Sequence, residues 1–458
     1  MSELAMTTAV ASPAEPDGAP RLAVLDIQRG IAILGILFMN INDMGGPLTG
    51  SFVNDPRLLG RSRADQVAWW LREVLANGTA RCLLEMLFGV GMAILTDRAA
   101  TRMGSWRVLR AYAWRNLVLF AFGLIHLFVL LWPGDILHTY GLASIVAVLF
   151  RRCKPRLLLT VGLVGATLQL LLGSGFVLYS NHQQGLERAL TTRAATGAVL
   201  TLAERKQLAA AHKATVDRDK SRAETRALVA AEDRARSGSP RTWVQAAWDA
   251  ILYIQAQFVE IFSIWEAAGT MLIGAALYRW GIIQGERSRR FYLLMTPVAY
   301  LIGLGLRVWA AYATTRFAHD ASLANLAYPA GEYARLLTTL GHVGLVNLML
   351  ASAGGARLLR PFAAAGRTAL TVYVAQTLVC LWVLYPPWGF ALYGHEGWAA
   401  LMATALAIDA ALLVGANWWT RRFAIAPVEW AWRSILARRP LPFRRDLSVA
   451  LAGAIRSS

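Results

Sequence analysis

Two histidines and one aspartate, His126, Asp135 and His138, flank the turn Leu131-Trp132-Pro133-Gly134 between two apolar stretches. His126 lies six residues before Trp132, and His138 three after Asp135. At helical rise these positions fall about 9 Å and about 5 Å below the turn. Two imidazoles and a carboxylate can therefore meet in one pocket. An imidazole oriented by a carboxylate is what a general base requires. The same residues also have a structural reading, in which His126 bonds a neighbouring helix and Asp135 caps the helix that follows it. A metal site fits poorly, because no close ligand pair at helical spacing accompanies them. Cys82, Cys153 and Cys380 lie far apart without a CxxC pair, and read as packing residues.

Other polar residues interrupt apolar runs: Asn40, Glu85, Glu266, Arg307, His342 and Asp409. Asp26 and Arg29, three apart, share a helix face and can pair. An ionisable group inside a membrane span is costly, so it marks a path, a site or a structural pair. No GxxxxGK[ST] and no nucleophile elbow occurs. The GxG runs Gly89-Val90-Gly91 and Gly303-Leu304-Gly305 lie in apolar segments, where small residues permit close helix packing.

The elements that must hold these residues are membrane helices. Of 458 residues, 56% are hydrophobic and 16% charged, with 17 Trp and a mean hydropathy of +0.42. Soluble domains carry roughly 25% charged residues. A soluble enzyme, a disordered chain and a disulfide scaffold are thereby excluded. The net charge of +18 could suggest nucleic acid. The basic residues instead cluster between apolar runs, as in a protein that orients itself in a bilayer, so no nucleic-acid partner is expected.

Ten segments approach the ~20 apolar residues of a transmembrane helix: 24–43, 80–97, 114–132, 135–150, 157–179, 263–281, 291–313, 334–352, 367–385 and 399–419. Alternate connections carry 23 basic residues against 5 on the opposite side, where Arg57, Arg61, Arg63, Arg72 and Arg316 stand. The basic side is therefore expected to be cytoplasmic, with both termini inside a bacterial inner membrane. The expected fold is all-α, a polytopic bundle of about ten spans. Residues 1–20 read as a disordered cytoplasmic tail without signal-peptide character. Residues 21–180 form a first membrane half, 243–422 a second, and 423–458 an interfacial helix with a basic tail. Between the halves, 181–242 is an outward-facing, charge-rich helical insert; its segment 181–241 holds 12 basic and 7 acidic side chains, a pattern of solvated helices.

The stretch Leu25-Asp26-Ile27-Gln28-Arg29-Gly30-Ile31-Ala32, running on to Asn40-Ile41, resembles the opening helix of the YeiB family of bacterial membrane proteins, which carry domain of unknown function 418. The likeness continues at Leu87-Phe88-Gly89-Val90-Gly91, Gly123-Leu124-Ile125-His126 and Gly134-Asp135-Ile136-Leu137-His138-Thr139-Tyr140. It runs on through Trp265-Glu266, Gly269 to Gly274, and Gly366-Arg367-Thr368-Ala369-Leu370-Thr371-Val372-Tyr373, and closes at Pro427-Val428-Glu429-Trp430-Ala431-Trp432-Arg433. The first-helix pattern LD-x-x-RG-x-A is similar to that of transmembrane acyltransferases, the acyltransferase-3 proteins and the lysosomal heparan-α-glucosaminide N-acetyltransferase. That resemblance implies transfer of an acyl group from a cytosolic acyl-CoA to a sugar or lipid acceptor across the membrane. The chain departs from acyltransferase-3 proteins fourteen residues after Asp26, where Asn40 replaces their catalytic His, and residues 41–80 hold no His. The base would then be His126 or His138.

Three readings follow. In the first, His126 or His138 is the general base of acyl transfer, Asp135 orients it, and Asn40 or Arg307 stabilises the oxyanion. Asp26 and Arg29, with Arg102, Arg107 and Arg110, receive the phosphates of acetyl-CoA or another acyl-CoA as co-substrate, no cofactor being bound tightly. Glu85, Glu266 and Arg307 line the substrate path to a small-molecule or glycan acceptor. In the second, the same residues line a transport route. In the third, the chain is an envelope scaffold whose insert holds a partner. A homo-oligomer is compatible with all three, since apolarity does not mark interfaces within a membrane.

Overall fold

The computed structural model describes residues 20–52, 60–100, 104–256, 259–316 and 327–444. The expected tail before residue 20, together with Arg57, Arg102 and Arg445, lies outside them. The chain begins with α1 (Pro20–Gly45), a 3-10 turn at Leu48–Phe52, α2 (Arg63–Leu71) with a π turn at Arg72–Ala76, and α3 (Thr79–Ala100). Next come α4 (Ser105–Phe128), α5 (Leu137–Ala147), α6 (Pro155–Ala195), α7 (Leu202–Arg236), α8 (Pro240–Ala256) and α9 (Val259–Arg279). The second half holds α10 (Arg289–Arg316), α11 (Gly331–Leu350), α12 (Ala353–Leu359) and α13 (Phe362–Arg367). It ends with α14 (Ala369–Leu378), the π turn Val379–Leu384, α15 (Trp398–Arg422) and α16 (Pro427–Ala437). Among the described residues no strand forms beyond one isolated bridge, Phe423 to Arg444.

All ten expected segments are helical, with unequal lengths. Among the described residues, seven helices are long and apolar enough to cross a bilayer, or eight if α11 and α12, bent by 118°, count as one span. The fourth and ninth segments are the shorter apolar helices Leu137–Phe150 and Ala369–Leu384. At helical rise they reach about 21 Å and about 24 Å, less than the ~30 Å of hydrocarbon. Their buried faces show why short helices suffice. Eight residues of α5 are buried in the bundle, so other helices, not lipid, surround its ends. The architecture is that of an integral membrane protein.

α1 is the central helix, touching α3, α11, α13, α14 and α15. Five residues of its opening motif have a structural reason. Leu25 is buried; Asp26 and Arg29 pair at 2.9 Å; Gln28 donates to the Ile283 carbonyl at 2.9 Å. A Cβ on Gly30 would stand 1.9 Å from the Phe362 carbonyl oxygen, and one on Gly366 1.9 Å from that of Asp26. The two backbones thus lie in contact, which only glycine permits here. Gly89 and Gly274 do the same for α3 against α9. Of the two GxG runs, the first glycine of each is packed against a neighbour and the second, Gly91 or Gly305, faces open space.

The basic connections meet at one end of the bundle. Arg279 donates to the carbonyls of Arg151 and Cys153, Arg151 reaches Ser105, and Arg115 stacks over Trp432 of α16 at 4.7 Å. The interfacial helix is clamped there too: Glu429 accepts from the backbone N–H groups of Leu370 and Thr371 at 2.6 and 3.2 Å. A carboxylate at the first turn of α14 complements that helix's dipole.

The charged stretch continues α6, whose 41 residues reach about 62 Å, twice a hydrocarbon core. α7 returns alongside it, opened by a capping box between Thr201 and Glu204. Backbone and side-chain bonds from Thr201, and the Arg193 guanidinium, hold the Glu204 carboxyl below its usual range. Most of α7 is exposed, as a solvated hairpin should be, but its base is not. Glu232 is buried, accepting from the N–H groups of Leu48 and Thr49 at 2.9 Å each. Arg236 donates to the carbonyls of Asp43, Met44 and Gly46 at 2.6–3.0 Å. Its guanidinium lies over both the Trp243 and the Tyr393 ring, at 4.6 and 4.4 Å, where the two rings meet edge to face. Two charges of the hairpin thus close the end of the bundle opposite the basic connections.

Candidate functional site

The hairpin of α4 and α5 carries the histidines. Its turn reverses at Leu131, whose φ of 61° costs an L-residue about 1–2 kcal/mol. Gly123, one turn before His126, lets α4 touch α5 backbone to backbone: a Cβ there would stand 2.2 Å from the His138 nitrogen. The reversal returns Asp135 onto His126.

The Asp135 carboxylate bridges both rings. Oδ1 lies 2.7 Å from His126 Nδ1, and Oδ2 2.8 Å from His138 Nδ1. Oδ2 also accepts the His138 backbone N–H at 2.9 Å, so Asp135 caps α5 as well as orienting the imidazoles. All three residues are at most 5% exposed. The two rings differ in what their second nitrogens face. His138 Nε2 lies 3.2 Å from Glu260 Oε2, between two carboxylates, and Glu260 also accepts from Thr139 Oγ1 at 2.6 Å. His126 Nε2 lies 2.9 Å from the hydroxyl of Thr377 on α14. With Nδ1–H donated to the carboxylate, Nε2 is left as an acceptor for the threonine O–H. Tyr373 stacks obliquely on His126 at 4.7 Å and accepts from the Ile136 N–H at 3.2 Å. Thr377, His126 and Asp135 thus form a line of hydroxyl, imidazole and carboxylate.

A second polar cluster joins α3, α9 and α11. Arg335 pairs with Glu85 at 3.0 Å, Glu332 at 2.6 Å and Glu266 at 2.8 Å, and donates to Thr270 Oγ1 at 3.1 Å. Arg81 binds Glu266 and reaches Glu85 at 3.5 Å. Two guanidinium groups therefore share three carboxylates. The clusters are neighbours through α9, which supplies Glu260 to one and Glu266 to the other.

The remaining expected residues stand apart from the histidines. Arg307 donates to the carbonyls of Glu73, Val74 and Asn77, those around the π turn, and so satisfies backbone acceptors instead of facing a reacting group. Asn40 is half-buried on α1 and is no partner of either imidazole. His342 bridges Tyr300 and the Leu75 carbonyl at 2.7 and 3.0 Å. Asp409 accepts from Gln376 at 2.9 Å. Asp26 and Arg29 lie at the basic end, where Arg107 and Arg110 are exposed. Among the described residues, no three His, Cys, Asp or Glu side chains converge in a metal-holding arrangement. Sequence reasoning missed Thr377, Glu260, Arg81, Arg335 and Glu332. The pair Glu332 and Arg335, three apart at the edge of an apolar run, was a usable signal; a threonine in an apolar helix is not.

Comparison with known proteins places this architecture. Residues 277–439 match the family model described as "Protein of unknown function (DUF418)". The chain is 28% identical over 433 residues to the uncharacterized protein YxaH of Bacillus subtilis, covering 90% of this chain and 94% of that protein. It is 28% identical over 430 residues to the uncharacterized protein YeiB of Escherichia coli, covering 92% and 98%. The chain is thus similar to the DUF418 family in its second half and to these two proteins over most of its length. An uncharacterized 39.9 kDa protein of Bacillus acidopullulyticus is 33% identical over a shorter 144 residues, 31% of this chain and 38% of that protein. No solved structure matches. The segment that matches the family model holds Arg335, Thr377 and Glu429, whereas His126, Asp135 and His138 precede it.

Replacing Arg335 with Met removes the guanidinium between Glu85 and Glu332. Breaking a buried pair from one side costs about 3–5 kcal/mol. We expect a lowered unfolding temperature in detergent, partly restored by adding Glu85→Gln to the same chain.

Proposed function

We propose that this protein transfers an acyl group from a cytosolic acyl-CoA, acetyl-CoA in the simplest case, to a small-molecule or glycan acceptor on the far side of a bacterial inner membrane. The observation that carries this reading is the buried line of Thr377, His126 and Asp135, with separations of 2.9 and 2.7 Å. His126 is the general base and Asp135 holds its tautomer, a division of labour known from hydrolytic triads. His138 is the poorer base, since its second nitrogen faces Glu260; it tethers the carboxylate. For the oxyanion, Trp132 replaces Arg307 and Asn40: its indole N–H is buried in the same turn, beside Tyr373. The donor's phosphates meet the basic end, at Arg29, Arg107 and Arg110; the excess of basic connections supports a cytoplasmic side there, with both termini.

Proton-linked transport is the second reading, and the cluster of Arg81, Arg335, Glu85, Glu266 and Glu332 favours it, because intramembrane carboxylates often relay protons. Radiolabelled acetyl-CoA offered to the purified protein together with an amine or sugar acceptor separates the two. Acyl transfer predicts binding and loss of label from CoA, reduced about 10³–10⁴-fold by Asp135→Asn, which withdraws the acceptor that fixes the tautomer. Absence of binding by the wild type would remove the donor and leave transport. Orientation is checked in spheroplasts of a background lacking Cys82, Cys153 and Cys380. An impermeant maleimide should label Ala198→Cys and leave Arg439→Cys untouched until the membrane is opened.

A further inference from the structure

Thr377 is fully buried on α14, and its hydroxyl is turned in an unusual direction. In apolar helices a threonine ordinarily bonds the carbonyl one turn back. Thr96, Thr339, Thr368 and Thr420 do so here, at 2.8–3.0 Å to the residue four before. Thr377 instead points across to α4, to His126 Nε2 at 2.9 Å. The helix also changes register at this point, passing into the π turn Val379–Leu384, a distortion that occurs often at functional sites. Leu381, one turn on, lines a small cavity with Trp132, Pro133 and Arg236. The hydroxyl therefore sits one turn from a space roofed by the base of the hairpin.

We propose that Thr377 is the nucleophile that carries the acyl group between donor and acceptor, an inference that rests on the acyl-transfer reading. His126 Nε2 takes the Thr377 proton as its oxygen forms an ester bond to the acyl carbon and the thioester C–S bond breaks. The imidazolium returns that proton to the departing thiolate, so CoA leaves as the free thiol and the protein holds a threonyl ester. An acceptor hydroxyl or amine then gives its proton to His126 and takes the acyl carbon, restoring the Thr377 hydroxyl. Asp135 stays ionised throughout and stabilises the imidazolium formed in each half. Catalysis in two halves suits a membrane protein, because donor and acceptor need not occupy the site together.

The first half requires no acceptor, which makes it directly testable. The full-length protein in detergent is mixed with [1-14C]acetyl-CoA, quenched in acid and digested for mass spectrometry. One acetyl group per chain should appear on the peptide containing Thr377, with an equal burst of CoA thiol. Thr377→Ser should retain the adduct, and the near-isosteric Thr377→Val should lose it at least a hundredfold while still binding acetyl-CoA, with unfolding temperatures confirming that both variants fold. Turnover of acetyl-CoA with no adduct at Thr377, or a Thr377→Val protein as active as wild type, would overturn the nucleophile and leave acyl transfer standing, with Thr377 a positioning residue for His126. A wild type that neither binds nor consumes acetyl-CoA would remove both.

Discussion

Charge buried in a bilayer must be answered inside the protein, and most of this structure follows from that requirement. An unpaired carboxylate or an orphaned carbonyl in hydrocarbon costs several kcal/mol. Asp135 therefore accepts from two imidazoles and a backbone N–H, and Glu260 closes the far side of His138. Arg307 is spent on the carbonyls around a π turn. Arg335 is spent on three carboxylates and a hydroxyl. Against this background Thr377 stands out, because it forgoes the local carbonyl that would have satisfied it.

α14 ties the two ends of the molecule together. Its first turn is capped by Glu429 from the interfacial helix, its last turn offers Thr377 to His126, and the π turn that follows leads to Tyr385, bonded to Glu396 at 2.9 Å beside the base of the α6–α7 hairpin. Being short, with one face buried in the bundle, it distorts its register next to Thr377. α1 supplies the fixed frame through its glycine contact with α13.

Much of this was legible in the residues. Apolar runs placed all ten helical segments, the basic asymmetry separated the two ends, and the spacing of His126, Asp135 and His138 around a Pro-Gly turn anticipated their meeting. Three things were not legible. Helix length against bilayer thickness could not be read for 135–150 and 367–385, since a buried short helix and a spanning one have the same composition. The partners Glu260 and Thr377 come from helices distant in the chain, and no local pattern couples them to His126. Glu232 and Arg236 sit in a run whose charge pattern matches a solvated face, so their burial follows only from the docking of the hairpin onto the turn after α1.

The position of one proton decides what His126 can do. For Thr377 to give up its hydrogen, His126 must be neutral with its proton on Nδ1, against Asp135, and a bare Nε2. Nitrogen-15 NMR of the histidine-labelled protein, with the resonance assigned by its loss in His126→Gln, reads that state directly. A protonated Nδ1 and an unprotonated Nε2 are the result predicted here. A proton on Nε2, donated towards the Thr377 oxygen, would contradict the account, because His126 could then accept nothing from the hydroxyl it faces.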